Sequence, residues 1–127
     1  MMFTNGDATL YLYHKENGKE TYTRFPVQGV YWEDVRQSTF LKTGQKDAVS
    51  ALLVIPLESL DGPVKLTQGK DLAVKGIIED EIDSSSQEAL SKSLTALRAV
   101  HGYLTVMTVD EMLYGSDSVQ HYELSCK

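Results

Sequence analysis

Apolar and polar residues alternate along most of this chain with the two-residue period of half-buried strands, and one stretch alone repeats at helical spacing. Residues 104–113 and 118–126 alternate on either side of Tyr114-Gly115-Ser116-Asp117, which predicts a β-hairpin running almost to the last residue. At the other end, residues 8–13 (ATLYLY) read as a strand. Asn17-Gly18 is a strong two-residue hairpin signal, and residues 21–32, rich in Thr, Tyr, Phe and Val, return as the second strand. Pro26 has no N–H to give to a ladder, so an edge or a bulge is expected there.

Residues 33–47 (EDVRQSTFLKTGQKD) break this pattern. They are polar, carry both signs of charge, and are either a long hairpin or a loop of about fifteen residues; loops of that length in compact domains are usually functional or disordered. Residues 48–55 (AVSALLVI) are almost wholly apolar, the mark of a central strand covered on both faces, and Pro56 stops it. Asp61-Gly62-Pro63 is turn chemistry. Residues 71–78 (DLAVKGII) predict another strand, with a bulge or bend at Gly76. Ser85 followed by Glu88 has the form of a capping box, and Leu90, Leu94 and Leu97 then recur at helical spacing up to Gly102, so a helix is predicted over about 85–100. Glu79, Asp80, Glu81 and Asp83 lie just ahead of it, where the helix dipole favours negative charge. The expected fold is mainly β: a small barrel or sandwich of about six strands, with one amphipathic helix across an open face or end.

At 127 residues the chain suits a single domain, 1–127, able to hold a core without crosslinks. Cys126 is the one cysteine, which excludes an internal disulfide and suits a reducing compartment. No run of about 18 apolar residues is present, and the first residues lack the basic-then-apolar layout of a signal peptide, so neither a membrane span nor a leader is expected. The net charge of −6 and the scattered lysines and arginines argue against tight gripping of nucleic acid.

Chemistry is sparse. His14, His101 and His121 have no zinc-binding spacing and read as strand-edge or turn residues. Nucleophile elbows, P-loops and dinucleotide fingerprints are missing. The acids at 79–83 have hard oxygen donors but neither the spacing nor the turn glycine of a calcium loop, and read as a solvated approach to the helix. Cys126 reads as an inert strand residue, and Trp32 as a core residue, with a docking anchor as its sharper alternative. No enzyme activity, cofactor or metal is expected.

Several segments, taken in order, resemble one family. Met2-Phe3-Thr4-Asn5 leads into an alternating strand; residues 27–34 (VQGVYWED) follow a G-V-x-W-x-D pattern with Arg36 just beyond; residues 50–56 (SALLVIP) form an apolar strand ending in proline. Residues 71–78 follow a G-D-x-V-V-K-G-I pattern, with Lys70 in place of its glycine. The end keeps Val109-Asp110, Gly115-Ser116 and Gln120-His121 of a longer signature, with Tyr122 where the pattern has Trp. In these features the chain resembles small structural proteins encoded in the head–tail morphogenesis region of tailed bacteriophages and prophages, similar to head-completion proteins of the stopper type.

The resemblance implies a non-enzymatic neck protein. It would form a six-fold or twelve-fold ring between portal or adaptor and tail. Its partners would be its own copies, the portal or adaptor, the tail terminator or tail tube, and passing double-stranded DNA without tight binding; no membrane is involved. The place would be the virion's head–tail interface, after assembly in the host cytoplasm. Loop 33–47 would face the channel or a neighbour, with Trp32, Glu33, Asp34, Arg36, Phe40, Lys42 and Lys46 as candidate interface residues. A tail terminator, a capsid decoration protein, and an unrelated small β domain with a ligand site or enzyme activity are the alternatives.

Overall fold

A computed structural model describes residues 4–41, 44–60, 64–116 and 119–127, with the backbone alone for 35–41 and 44–49. Six strands and one helix follow in the order β1 (Gly6–Glu16), β2 (Lys19–Leu41), β3 (Gly44–Pro56), β4 (Leu72–Lys75), α1 (Gln87–Val100), β5 (Leu104–Met112) and β6 (His121–Cys126), with a single 3-10 turn at Leu57–Ser59. All neighbouring strands are antiparallel, and the sheet closes on itself in the order β1-β2-β3-β6-β5-β4. Of the two predicted architectures, the barrel is the one formed.

The alternation along the strands sorts side chains between two cores. Ala8, Leu10, Val27, Val30, Trp32, Leu53, Ile55, Val106, Leu124 and Cys126 fill the barrel interior. Tyr11, Leu72 and Val74 instead meet Leu97 of α1, with Leu94 and Ile82 beside them, so the helix seals the outer surface of β1 and β4. Strand β1 is thus buried on both faces between Ala8 and Tyr11. The helix cap lies one residue later than predicted. Ser86 is the N-cap, its hydroxyl accepting from Ala89 N–H at 3.1 Å, while Ser85 N–H donates to Asp83. That moves Glu88 out of the third helical position, so no reciprocal capping box forms. Gly102, at φ 72°, ends the helix by donating its N–H to the Leu97 and Arg98 carbonyls.

The strand predicted at 71–78 is shorter than expected. β4 has four residues, and at Gly76 (φ 87°) the chain leaves the sheet. The reason is Thr9: its hydroxyl donates to the Gly76 carbonyl at 2.8 Å and accepts from Ile78 N–H at 3.0 Å, drawing the departing chain across the outside of β1. Of the edge or bulge expected at Pro26, the edge forms: among the described residues, 19–30 of β2 pair with β1 alone, and the bulge lies three residues on. Pro26 faces Thr9 in regular register, and the extra residue is Gly29. Its N–H donates to the Asp7 carboxylate, its carbonyl accepts from Ser59 Oγ at 2.6 Å, and its φ of 83° is left-handed. The turn predicted at 61–63 lies outside the described residues.

The closure is narrowest between β4 and β5, which pair only at Leu72↔Thr105 and Ala73↔Leu104. Asp71, 1% exposed, completes it. Its two carboxylate oxygens accept from Tyr13 and Thr67 N–H, each at 2.7 Å, and its carbonyl accepts from Val106 N–H at 2.8 Å. Burial pushes this carboxyl above the ordinary carboxylate range, opposed by the two backbone donors. The native state therefore holds the Asp71 proton to higher pH than the unfolded chain. The stability this contributes is present below the ordinary carboxylate range and lost as pH rises through the raised folded value.

Urea midpoints measured against pH for wild type and Asp71→Asn should diverge over that interval, the wild type losing ground as pH rises; a pH-independent difference would contradict this assignment. Gly29→Ala places a Cβ at 3.1 Å from Ser59 Oγ on a left-handed backbone. It should cost about 1–3 kcal/mol in equilibrium unfolding.

Candidate functional site

The site starts where the β2–β3 hairpin leaves the barrel. The β1–β2 ladder ends at Gly6↔Val30, and the β3–β6 ladder ends at Ala51↔Cys126. Asn5 carries the first of these one step further. Its backbone N–H donates to the Val30 carbonyl, its side-chain oxygen accepts from Trp32 N–H at 2.8 Å, and its side-chain amide donates to the Trp32 carbonyl at 2.9 Å. One side chain thus takes the place of a strand's peptide unit at the rim. From there β2 and β3 continue paired only with each other, from Val35↔Ser50 to Leu41↔Gly44, and among the described residues no third strand joins them. At about 3.3 Å per residue, these seven positions make a ribbon of roughly 20 Å. The segment 33–47 is therefore the long hairpin of the two forms open to it, and its strands are backbone-paired where a loop would not be.

Trp32 sits at the base of the ribbon, 7% exposed, as part of the interior cluster. Its indole N–H donates to Asp34 Oδ1 at 2.7 Å, and Lys75 Nζ lies 3.3 Å from Asp34 Oδ2. That indole N–H, with the Lys75 ammonium adding to it, holds the Asp34 carboxyl below the ordinary range. Trp32 is thus a core residue whose polar edge ties the first turn of the ribbon to β4. Asn5, Gly6, Asp7, Trp32, Lys75 and Gly76 surround a shallow cleft of about 270 Å³ beside it. Glu33 and Asp34 are exposed, paired through their backbones with Leu52 and Ala51. Arg36, Phe40 and Lys46 lie on the ribbon opposite Val49, Gln45 and Thr39, and their side chains are outside the described residues, as is the whole of Lys42. The structure thus brings Trp32, Glu33 and Asp34 together at the ribbon's base and strings Arg36, Phe40 and Lys46 along its length.

Two partners of this site were absent from the sequence reading. Asn5 had a weak signal: an Asn directly before a strand start is a common place for a side chain to mimic a peptide. Lys75 had none, because its proximity to Asp34 depends on barrel closure across 41 residues.

Each of the three histidines stands beside a carboxylate. His14 is 3.6 Å from Glu16, and His101 is 3.3 Å from Asp80. His121 has its two ring nitrogens 2.9 Å from the Val119 carbonyl and 3.0 Å from Glu123 Oε1. Asp83 accepts from Ser85 N–H, which holds its carboxyl below the ordinary range, and the Asp80 carbonyl accepts from Tyr11 Oη. The acidic approach to the helix thus serves as backbone scaffolding. Among the described residues no group of three or more His, Cys, Asp or Glu is placed to hold a metal ion. Among them too, no helix is long and apolar enough to cross a membrane.

These features define a class: a small closed antiparallel barrel with one external helix and a two-stranded ribbon extending past its rim. The chain belongs to the family of unknown function DUF6751, whose model matches residues 3–127. No curated protein and no solved structure matches it.

Cys126 faces the barrel interior, and burial pushes its thiol up to about 12. A colorimetric disulfide reagent at neutral pH should find no reactive thiol in the native protein and one equivalent after unfolding in guanidinium. Rapid labelling of the native chain would contradict the inward placement of the β6 terminus.

Proposed function

We propose that this protein is a neck component of a tailed bacteriophage particle, of the head-completion, stopper-like type. Copies of the chain would form a ring between portal or adaptor and tail, retain the packaged DNA and receive the tail. The ribbon beyond the barrel carries the reading. A two-stranded ribbon is marginal by itself in water, and among the described residues no third strand joins its edges. Such an element suits a protein whose assembled form surrounds it with neighbours. The barrel suits a ring subunit because closure removes the sheet edges that would otherwise pair at random. The ordered likeness of residues 27–36, 71–78 and 105–127 to neck proteins supports the same role.

In this role the chain works by fit. Heterologous contacts that close into a ring leave the ribbons free to point toward the axis, where they narrow the channel. The net charge of −6 per copy disfavours tight binding of DNA by the assembly as a whole.

A cryo-EM reconstruction of the assembled particle tests this. Density for the chain as a ring between portal and tail, with ribbons toward the axis, is the expected result. Density at the end of the tail tube alone would make it a tail terminator; density on the outer shell would make it a decoration protein. Its absence from every virion part would overturn the structural role.

A further inference from the structure

Strand β1 outruns its neighbour on one side. Its ladder with β4 covers Ala8 to Tyr11, while its ladder with β2 runs on to Glu16. Past Tyr11, a groove of about 480 Å³ lies between residues 12–15 of β1 and the segment holding Lys65 and Thr67. That is within the size range of ligand sites. Main-chain groups line its β1 wall. In a strand the N–H and C=O of one residue point to one side, and those of the next residue to the other. Tyr13 N–H donates to Asp71 Oδ1, away from β2, so the Tyr13 carbonyl and both peptide groups of Lys15 face the groove. Among the described residues no strand pairs with that side of β1 past Tyr11.

The side chains add charge of one sign. Lys15 and Lys65 are exposed and, among the described residues, have no ion-pair partner. Lys70 Nζ stands 5.4 Å from the centre of the Tyr13 ring, on the same wall. The nearby acids are engaged elsewhere: Glu16 lies 3.6 Å from His14, Glu20 stands by the Tyr13 hydroxyl, and both Asp71 oxygens accept from main-chain N–H groups. Leu12, half-buried against the interior cluster, gives the groove an apolar floor.

We infer that this groove takes an extended acidic segment of a partner protein, added to β1 as a strand in the place that β4 vacates. Lysines on an open edge discourage strands in general, and two of them across a groove favour one that carries carboxylates. A free phosphate answers the ammonium groups alone, because it has no donor for the Tyr13 and Lys15 carbonyls; a peptide answers donors and acceptors together. A second copy fits less well. The chain's own acidic run at 79–83 is tied down, its Asp80 carbonyl accepting from Tyr11 Oη and its Asp83 N–H donating to Ser93 Oγ. The inference does not depend on the neck reading and is tested in solution on the isolated chain.

The probe is a fluorescein-labelled hexapeptide of alternating glutamate and valine, with a lysine–valine counterpart and an N-methylated form as controls. Fluorescence anisotropy should show the acidic peptide binding with a Kd below about 1 mM and neither control binding. The double variant Lys15→Glu, Lys65→Glu should keep its thermal melt and bind at least about tenfold more weakly. By NMR hydrogen exchange, the peptide should slow the Lys15 amide and leave the Tyr13 amide, already bonded to Asp71, as it was. Four results would overturn the inference. The acidic peptide could fail to bind at about 1 mM. The N-methylated form could bind equally well, which would reduce the contact to charge. The double variant could bind with unchanged affinity, or the Lys15 amide could exchange as fast with peptide as without. Finally, inorganic phosphate could slow the Lys15 amide as the peptide does, making the groove a simple anion site. Should the double variant not fold, Lys15→Ala and Lys65→Ala decide in its place, each expected to weaken binding about threefold.

Discussion

Closure of the barrel at its shortest strand is the constraint on which the rest depends. β4 contributes four residues, and only two of them pair with β5. A seam that narrow would leave open backbone groups, and Asp71 fills them with a side chain. Its carboxylate ties the end of β1 to the segment before β4, while its own carbonyl holds β5. A buried carboxylate is costly unless its oxygens are satisfied, and here both accept from main-chain donors at short distance. Those two bonds offset part of the burial cost without cancelling it, so the carboxyl stays above its ordinary range. The seam is thus held by few contacts, and the two cores on either side of β1 become possible once it is shut.

The same logic of substitution recurs around the molecule. Thr9 replaces a strand for the chain leaving β4, and Asn5 replaces one at the rim beside Trp32. Ser59 and Asp7 hold the bulge at Gly29. Each is a short polar side chain that satisfies one or two peptide groups where the ladder stops. Together they satisfy peptide groups where the ladders stop, while β2 and β3 run on as a ribbon past β1 and β6. A long ribbon that no third strand joins among the described residues is an aggregation risk in a monomer and an asset in an assembly. That asymmetry is what joins the fold to the neck reading.

Much of the fold was legible in the order of residues. Strand alternation, the Asn17-Gly18 turn, the leucine spacing of α1 and the terminal hairpin are local signals, each read within a window of ten to fifteen residues or so. The departures were also local in cause. Two neighbouring serines competed for the cap, and Ser86 prevailed while Asp83 engaged Ser85. Pro26 lies on the edge expected of it, and the bulge falls at Gly29, where a left-handed residue fits an extra position. Of the candidate site, Trp32 was legible as core. The pairing of 33–47 was not, because its polar residues alternate without an apolar face that would mark strands.

By itself the sequence determined most of the strand segments, where the helix lies, and that the chain is acidic; these depend on side-chain period, turn chemistry and composition, all read without long-range contacts. Only the tertiary structure decided that six strands close into a barrel instead of stacking as a sandwich. It alone set Lys75 against Asp34 and Asp71 across the seam, and chose the hairpin over the loop. Those outcomes turn on main-chain groups finding partners tens of residues away, and no local pattern encodes which distant peptide will be free to answer.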